Sequence, residues 1–394
     1  MSELPGREQV PPGPGHAGVP RTGAIGGGNG AAPGGDGVAM PALAVHRADG
    51  SGPENGVLLE TDGLTRHFQL GGLFSQRTLH AVDDLTITIR PREIVALVGE
   101  SGSGKSTVAR LLARLYKPSR GSIVFRGRPL QSLRSRRDVL WYRSQVPMVF
   151  QDPYSSINPV FRVSHGVARN LRLHRRELNA RGRRDEMLRV FDAVGLTPAT
   201  EMLHKFPYEM SGGQRQRVGF AQALALRPRL ILADEPVSML DVSIRAGLLN
   251  LMAELREREQ VSILYITHDL ASARYVADRV LVMYGGHLVE SGPTEVVLAR
   301  PKHPYTQLLL SAVPDPREIV ALAAESQDAG EPPKVINPSE GCRFRRRCPM
   351  AVEECHRVTP RLRPMGPAHE AACHVATPNT DPAAPPEPAT SSHD

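Results

Sequence analysis

Between residues 57 and 300 the apolar positions follow two periods, which predict strands alternating with helices. Leu85, Ile87 and Ile89 alternate with Thr86 and Thr88, the period of two expected of a strand buried on one face. Upstream, VLLETDGLTRHF from Val57 reads as a strand, a turn and a second strand, so the ordered sequence is expected to open with an antiparallel β-subdomain. Four runs are apolar almost throughout: IVALV at 94–98, LILAD at 230–234, ILYIT at 263–267 and VLVM at 280–283. Such runs are strands covered on both faces, and their alternation with helices predicts a parallel sheet in an α/β fold. Residues 122–125 and 146–150 read as further strands, the second delivering Gln151.

The helical period appears at Val108, Leu111, Leu112 and Leu115, with Pro118 and Gly121 to stop it. It returns at Leu248, Leu249, Met252 and Leu255. From about Asp152 to Leu226 strand signals vanish and helical stretches such as 186–194 take over, the pattern of a helical insertion. No internal repeat occurs, so one nucleotide-binding unit is expected. Residues 1–55, rich in Gly, Pro and Ala as in AIGGGNGAAPGGDG, cannot bury enough apolar surface to offset their ordering entropy and are expected to be disordered. The tail at 377–394 is similarly low in complexity.

Composition narrows the setting. No run approaches the ~18–20 apolar residues of a membrane-spanning helix, and MSELPGREQV has neither the basic start nor the apolar core of a secretion signal. An intracellular chain is expected, reaching a membrane only through a partner. The net charge of +7 is spread out, and aromatics make up 5% of the chain, so a solvated basic surface is expected rather than a nucleic-acid interface. All four cysteines, Cys342, Cys348, Cys355 and Cys373, follow residue 340, with five, six and seventeen residues between them. That is no short CxxC signal, and small buried hydrophobes are one reading. Four ligands to one centre, zinc or an iron–sulfur cluster, are the other.

The chemistry centres on the strand at 94–98 and the GESGSGKST that follows it. Gly99, Gly104, Lys105 and Ser106 have the P-loop spacing G-x-x-x-x-G-K-[ST]. Gly102 and Gly104 leave room for the backbone to curl round phosphate oxygens, and the helix starting near Lys105 presents its positive end to them. Lys105 is expected on the β- and γ-phosphates and Ser106 on Mg²⁺, with Glu100, Ser101, Ser103 and Thr107 completing the cradle. The strand at 230–234 ends in two carboxylates. Asp234 suits Mg²⁺, and Glu235 suits the general base that polarises the attacking water. Ser211 can cap a helix through Arg215, Arg217 and Ala221, and Gly212 and Gly213 in its first turn make sense if the backbone approaches a ligand closely.

The P-loop, Gln151, SGGQ at 211–214, the Asp234–Glu235 pair, SMLD at 238–241 and His268 occur in the order and spacing of ABC-transporter ATP-binding subunits, which residues 57–300 resemble. The resemblance implies a P-loop NTPase (ABC ATPase) core with an antiparallel β-subdomain and a helical insertion. It casts Gln151 as the Q-loop residue that reaches Mg²⁺ and the attacking water. Ser211, Gly212, Gly213 and Gln214 become a signature motif acting on ATP held by a second ATPase subunit. Asp241 becomes the D-loop aspartate, and His268 the switch histidine that bonds the γ-phosphate and orients Glu235. Phe68 is the candidate for stacking on adenine, with Phe74 as a rival.

QDPYSSINP, HPYTQLLLSAVPDP at 303–316 and the cysteine-bearing tail resemble the oligopeptide/dipeptide (and nickel) importer branch. The expected domains are a disordered extension (1–55), an ATPase domain (56–300, helical part about 152–226), a small cysteine-containing C-terminal extension (301–376) and a disordered tail (377–394). The branch implies two membrane permeases and, indirectly, an extracytoplasmic substrate-binding protein. The protein would then lie on the cytoplasmic face of the membrane. It also implies a [4Fe–4S] cluster on the four cysteines, with zinc as the alternative, and charge from Arg343, Arg345, Arg346 and Arg347 to offset the thiolates. Peptides are the expected cargo. Nickel or another small solute, or a non-transport ABC ATPase, are the competing readings.

Overall fold

The computed structural model describes residues 56–71, 77–152, 157–311 and 335–378. The expected disorder of 1–55, the tail beyond 378 and the rival Phe74 lie outside them. The strands are β1 (Leu59–Leu70), β2 (Arg77–Leu85), β3 (Thr88–Ile89), β4 (Ile94–Val98), β5 (Arg120–Phe125), β6 (Arg128–Pro129) and β7 (Met148–Val149). They continue with β8 (Leu230–Asp234), β9 (Ser262–Thr267), β10 (Arg279–Tyr284), β11 (His287–Pro293), β12 (Arg363–Gly366) and β13 (His369–Ala371). They form a five-stranded sheet, β2-β1-β5-β6 with β3 on β1, and an eight-stranded sheet, β12-β13-β11-β10-β4-β9-β8-β7.

The continuous apolar runs have a direct explanation. Every residue of β4, β8 and β9 is buried, and successive side chains enter different cores. Ile94, Ala96 and Val98 share one core with Ile231, Ala233, Ile263 and Tyr265. Val95 and Leu97 share the other with Leu230, Leu232, Leu264 and Ile266. A strand with a core on each face has no polar face to show.

The expected parallel sheet is a mixed one. β10, β4, β9, β8 and β7 are parallel neighbours, but β11, β13 and β12 add to it antiparallel. The last two strands come from beyond residue 360, so the C-terminal part extends the main sheet. The expected turn near Gly63 is a bulge in one long strand. There Gly63 has φ 55°, and pairing slips between Asp62 and Thr65 along β5 and between Leu64 and Arg66 along β2. The strand thereby serves β3 and β5 with its first half and β2 with its second. Helix Lys105–Leu112 ends sooner than its apolar period implies. Arg114 takes a φ of 53°, which leaves Leu115 47% exposed. Between residues 157 and 226 only helices occur, including Ser164–His174, Ala180–Ala193 and Gly212–Leu224.

Glu290 of β11 is fully buried and anchors the sequence that follows the sheet. Its carboxylate accepts from the amides of Lys302 (2.7 Å) and His303 (2.9 Å) and from Nε2 of His369 (2.8 Å). Burial pushes His303 down to about 4 against the pull of Glu290, and its neutral ring accepts the Tyr305 amide at 3.0 Å. Glu290→Leu should therefore cost on the order of 3–5 kcal/mol, since it strands buried donors without an acceptor. Urea unfolding of the purified chain, compared with Glu290→Gln as the milder variant, checks this.

Candidate nucleotide-binding site

β4 runs straight into the glycine-rich loop, and two close backbone approaches fix its path. A Cβ on Gly99 would lie 2.2 Å from the Met283 carbonyl oxygen, and one on Gly104 would lie 2.1 Å from that of Ala81. Gly104 also has φ 106° and Gly102 φ 78°, backbone that side chains rarely adopt. The turn between β10 and β11 completes the frame. Gly286 donates its amide to Ser103 O and accepts from the Asp83 amide, both at 2.9 Å.

Inside this frame Lys105 is 4% exposed. Its Nζ donates to the carbonyls of Gly99 (2.7 Å) and Glu100 (2.9 Å) and lies 3.9 Å from Glu235 Oε1. Burial pulls the ammonium pKa down, while Glu235, Asp234 and Glu100 oppose this. The buried Ser103 hydroxyl has no hydrogen-bond partner among the described residues. A cation resting on its own loop's carbonyls, with a spare hydroxyl beside it, suits an incoming oxyanion.

The acidic strand end faces this loop. Ser106 Oγ donates to Asp234 Oδ1 at 2.9 Å. Burial raises the Asp234 pKa, and the Ser106 bond works against that rise. A serine hydroxyl and a carboxylate oxygen this close are suitable neighbours for Mg²⁺. Glu235 departs from the strand, with φ 46°, its amide bonded to Ile266 O at 2.9 Å. Its carboxylate meets Gln151 Nε2 (3.2 Å) and His268 Nδ1 (3.4 Å). Lys105, Ser106, Gln151, Asp234, Glu235 and His268 thus form one connected cluster. Such a cluster can hold a phosphate chain, a divalent cation and a base for water.

The other candidates lie in different surroundings. Ser211 caps helix Gly212–Leu224 and exchanges bonds with Gln214, its hydroxyl accepting the Gln214 amide at 3.2 Å and its own amide reaching Gln214 Oε1 at 3.0 Å. Gly213 has a packing reason that spacing alone conceals, because a Cβ there would lie 2.3 Å from Ile244 Cγ2. Asp241 precedes helix Val242–Arg258 and is exposed, and among the described residues its side chain makes no cap bond. Among the described residues Ser211 to Gln214 and Asp241 take no part in the hydrogen bonds of the Lys105 cluster. Phe68 is half-buried, with the Arg66 guanidinium 4.4 Å from its ring centre and Tyr116 edge-on at 5.5 Å.

The four cysteines are free thiols, Cys355 and Cys373 buried and Cys342 and Cys348 half-buried. Burial pushes Cys342 up to about 11, and the neighbouring Cys355, Cys373 and Cys348 add to the rise. Cys348 is raised by burial and then by Cys373 and Cys355. The thiols therefore share one neighbourhood. Three of the arginines between them hold partners of their own. Arg343 bonds Gly285 O and Asp83, Arg345 bonds Cys342 O and Ser339, and Arg347 bonds Glu100. The partners of Arg343 and Arg347 lie far away in sequence, so spacing carried no signal of them. A second polar cluster, His67, His80 and Asp83, also brings three donor atoms together. Arg343 and both rings already occupy that carboxylate, and despite burial they hold its pKa well below the usual range. The guanidinium leaves little place there for a cation.

Fold and site together define a P-loop ATPase. A profile for the family described as ABC transporter matches residues 82–238, and one described as the oligopeptide/dipeptide transporter C-terminal region matches 289–355. A putative oligopeptide transport ATP-binding protein of Bacillus subtilis, YkfD, is 41% identical over 80% of this chain and 94% of its own length. The oligopeptide transport ATP-binding protein OppF of Salmonella typhimurium is 42% identical over 77% and 92%. The ATP-binding cassette MJ0796 bound to ADP and Pi superposes with a TM-score of 0.54 at 25% identity, over 60% of this chain and 99% of that one. The chain belongs to the ABC-transporter ATP-binding proteins. No helix among the described residues is long and apolar enough to cross a membrane.

Gly104→Ala puts a methyl into a backbone carbonyl at a left-handed residue, so it should abolish binding of a fluorescent ATP analogue. The clash is local, and the thermal midpoint should fall by only a few degrees, on the order of 1–3 kcal/mol of strain.

Proposed function

We propose that this chain is the ATP-hydrolysing subunit of a peptide importer, bound to the cytoplasmic face of the membrane through two permease subunits. The observation that carries the peptide reading is the match of residues 289–355 to the oligopeptide/dipeptide transporter C-terminal region. The names of the relatives agree with it. A binding protein outside the membrane would deliver the cargo.

The geometry supports the following assignment. Lys105 leaves the carbonyls of Gly99 and Glu100 for the β- and γ-phosphates as they settle on the loop amides and the Ser103 hydroxyl. Ser106 and Asp234, with Gln151, would hold Mg²⁺, which when bound would supply positive charge beside the phosphates. Glu235 takes the proton of the attacking water, and His268 and Gln151 hold its carboxylate in place. Ser211 to Gln214 face a second ATPase subunit and complete its site, while that subunit's equivalent motif completes this one. Asp241 lies at the shared interface. Phe68 stacks on adenine, displacing the Arg66 guanidinium.

For the four cysteines we infer a shared [4Fe–4S] cluster. Tetrahedral zinc at ~2.3 Å from each sulfur would bring the thiols to about 3.8 Å from one another. Among the described residues no three cysteine sulfurs lie within 4.8 Å. A larger centre suits that wider arrangement. Cys342, Cys348, Cys355 and Cys373 would hold it as thiolates, and since burial raises the pKa of Cys342 and Cys348, the centre would have to displace the protons of those two.

Glu235→Gln should lower steady-state ATPase activity at least ~100-fold while MgATP binding persists and ATP-bound dimers accumulate on gel filtration. Near-normal turnover would remove Glu235 from its role. In the reconstituted complex, short peptides should stimulate ATPase activity in the presence of the binding protein. Anaerobic purification should yield about four iron and four sulfide per chain. A folded preparation with zinc alone would refute the cluster.

A further inference from the structure

Glu100 puts a carboxylate inside a loop that receives phosphates. Residues more than 200 positions away hold it by both its side chain and its backbone. Arg347 grips the carboxylate with both ends of its guanidinium, Nη1 to Oε2 at 2.8 Å and Nη2 to Oε1 at 3.0 Å. The pair is largely shielded, the two side chains being 16% and 22% exposed. The fully buried Tyr305 accepts the Glu100 amide on its hydroxyl at 2.8 Å. The Glu100 carbonyl in turn holds Lys105 Nζ at 2.9 Å. One P-loop residue thus has three handles, and two of them belong to the C-terminal part of the chain.

The mounting of Arg347 is equally specific. Its guanidinium lies 5.8 Å from the ring centres of both Tyr284 and Phe344. Those rings pack with Tyr305, at 4.6 Å between Tyr284 and Tyr305 and 5.5 Å between Tyr305 and Phe344. The Arg347 amide bonds Phe344 O at 2.9 Å, a turn lying wholly between Cys342 and Cys348. The guanidinium is therefore positioned by the fold of the cysteine-bearing segment.

A triphosphate carries several negative charges, and a like charge on the loop that receives it, in a shielded site, repels it. Arg347 cancels that charge. We propose that Arg347 is a positioning residue for the ATP site, neutralising Glu100, and that through it the cysteine segment sets the affinity of the P-loop for MgATP. The coupling half of this rests on the reading of the four cysteines as one ligand set, whereas the neutralising half does not.

Equilibrium binding of trinitrophenyl-ATP with Mg²⁺ to the full chain, purified anaerobically, tests both halves. Arg347→Met should raise Kd on the order of tenfold, and Arg347→Lys, which keeps the charge but loses the fork, should raise it less. In a Glu100→Gln background Arg347→Met should have no further effect. An unchanged Kd in the single variant, or an equal loss in both backgrounds, overturns the neutralising role. Cys348→Ser should weaken binding when Glu100 is present and not in Glu100→Gln. If Arg347→Met behaves as expected but Cys348→Ser weakens binding equally in both backgrounds, or in neither, the coupling is overturned and the neutralising role stands. Thermal unfolding of each variant distinguishes lost affinity from a lost fold.

Discussion

Two backbone carbonyls, Ala81 O and Met283 O, press so closely on the glycine-rich loop that a single added carbon at Gly104 or Gly99 would overlap them. Much of the site depends on that contact. Ala81 belongs to the antiparallel sheet and Met283 to the mixed one, so the loop is moulded where the two sheets meet. The loop's shape then decides where Lys105 and Ser106 enter the following helix, and so where they stand relative to Asp234 and Glu235. Its anion-binding form is imposed by the packing around it before any phosphate arrives, which spares binding the entropy of ordering it.

The central strands were the most legible part of the fold. β4, β8 and β9 divide their side chains between two cores, and nothing but an uninterrupted apolar run can do that. The sheet's far edge was not legible, because β12 and β13 are four and three residues long and carry Arg363, His369 and Glu370. Their pairing comes from β11 and not from any period of their own. The bulge at Gly63 looked like a turn because a local glycine signal cannot say whether the chain reverses or merely slips its register.

The catalytic cluster followed the same division. Gly99, Lys105, Ser106 and Asp234 were legible because phosphate and metal chemistry fixes residue types at close spacing. The left-handed backbone of Glu235 leaves no mark in a DE dipeptide. Gly213 was read through ligand approach, and Ile244 supplies a second demand for the same absent side chain. The arginines among the cysteines were read as a local charge reservoir. Their partners at Asp83, Gly285 and Glu100 come from folding and not from sequence neighbourhood.

The turn between β10 and β11 has a consequence for how the molecule comes apart. Gly286 bonds the P-loop through Ser103 and the antiparallel sheet through Asp83, and Arg343 of the cysteine-bearing segment bonds the adjacent Gly285 carbonyl. No one of these parts can open locally without disturbing the same two-residue turn. They therefore behave as one cooperative unit, and the Gly286 amide exchanges its proton with solvent only at the free energy of global unfolding.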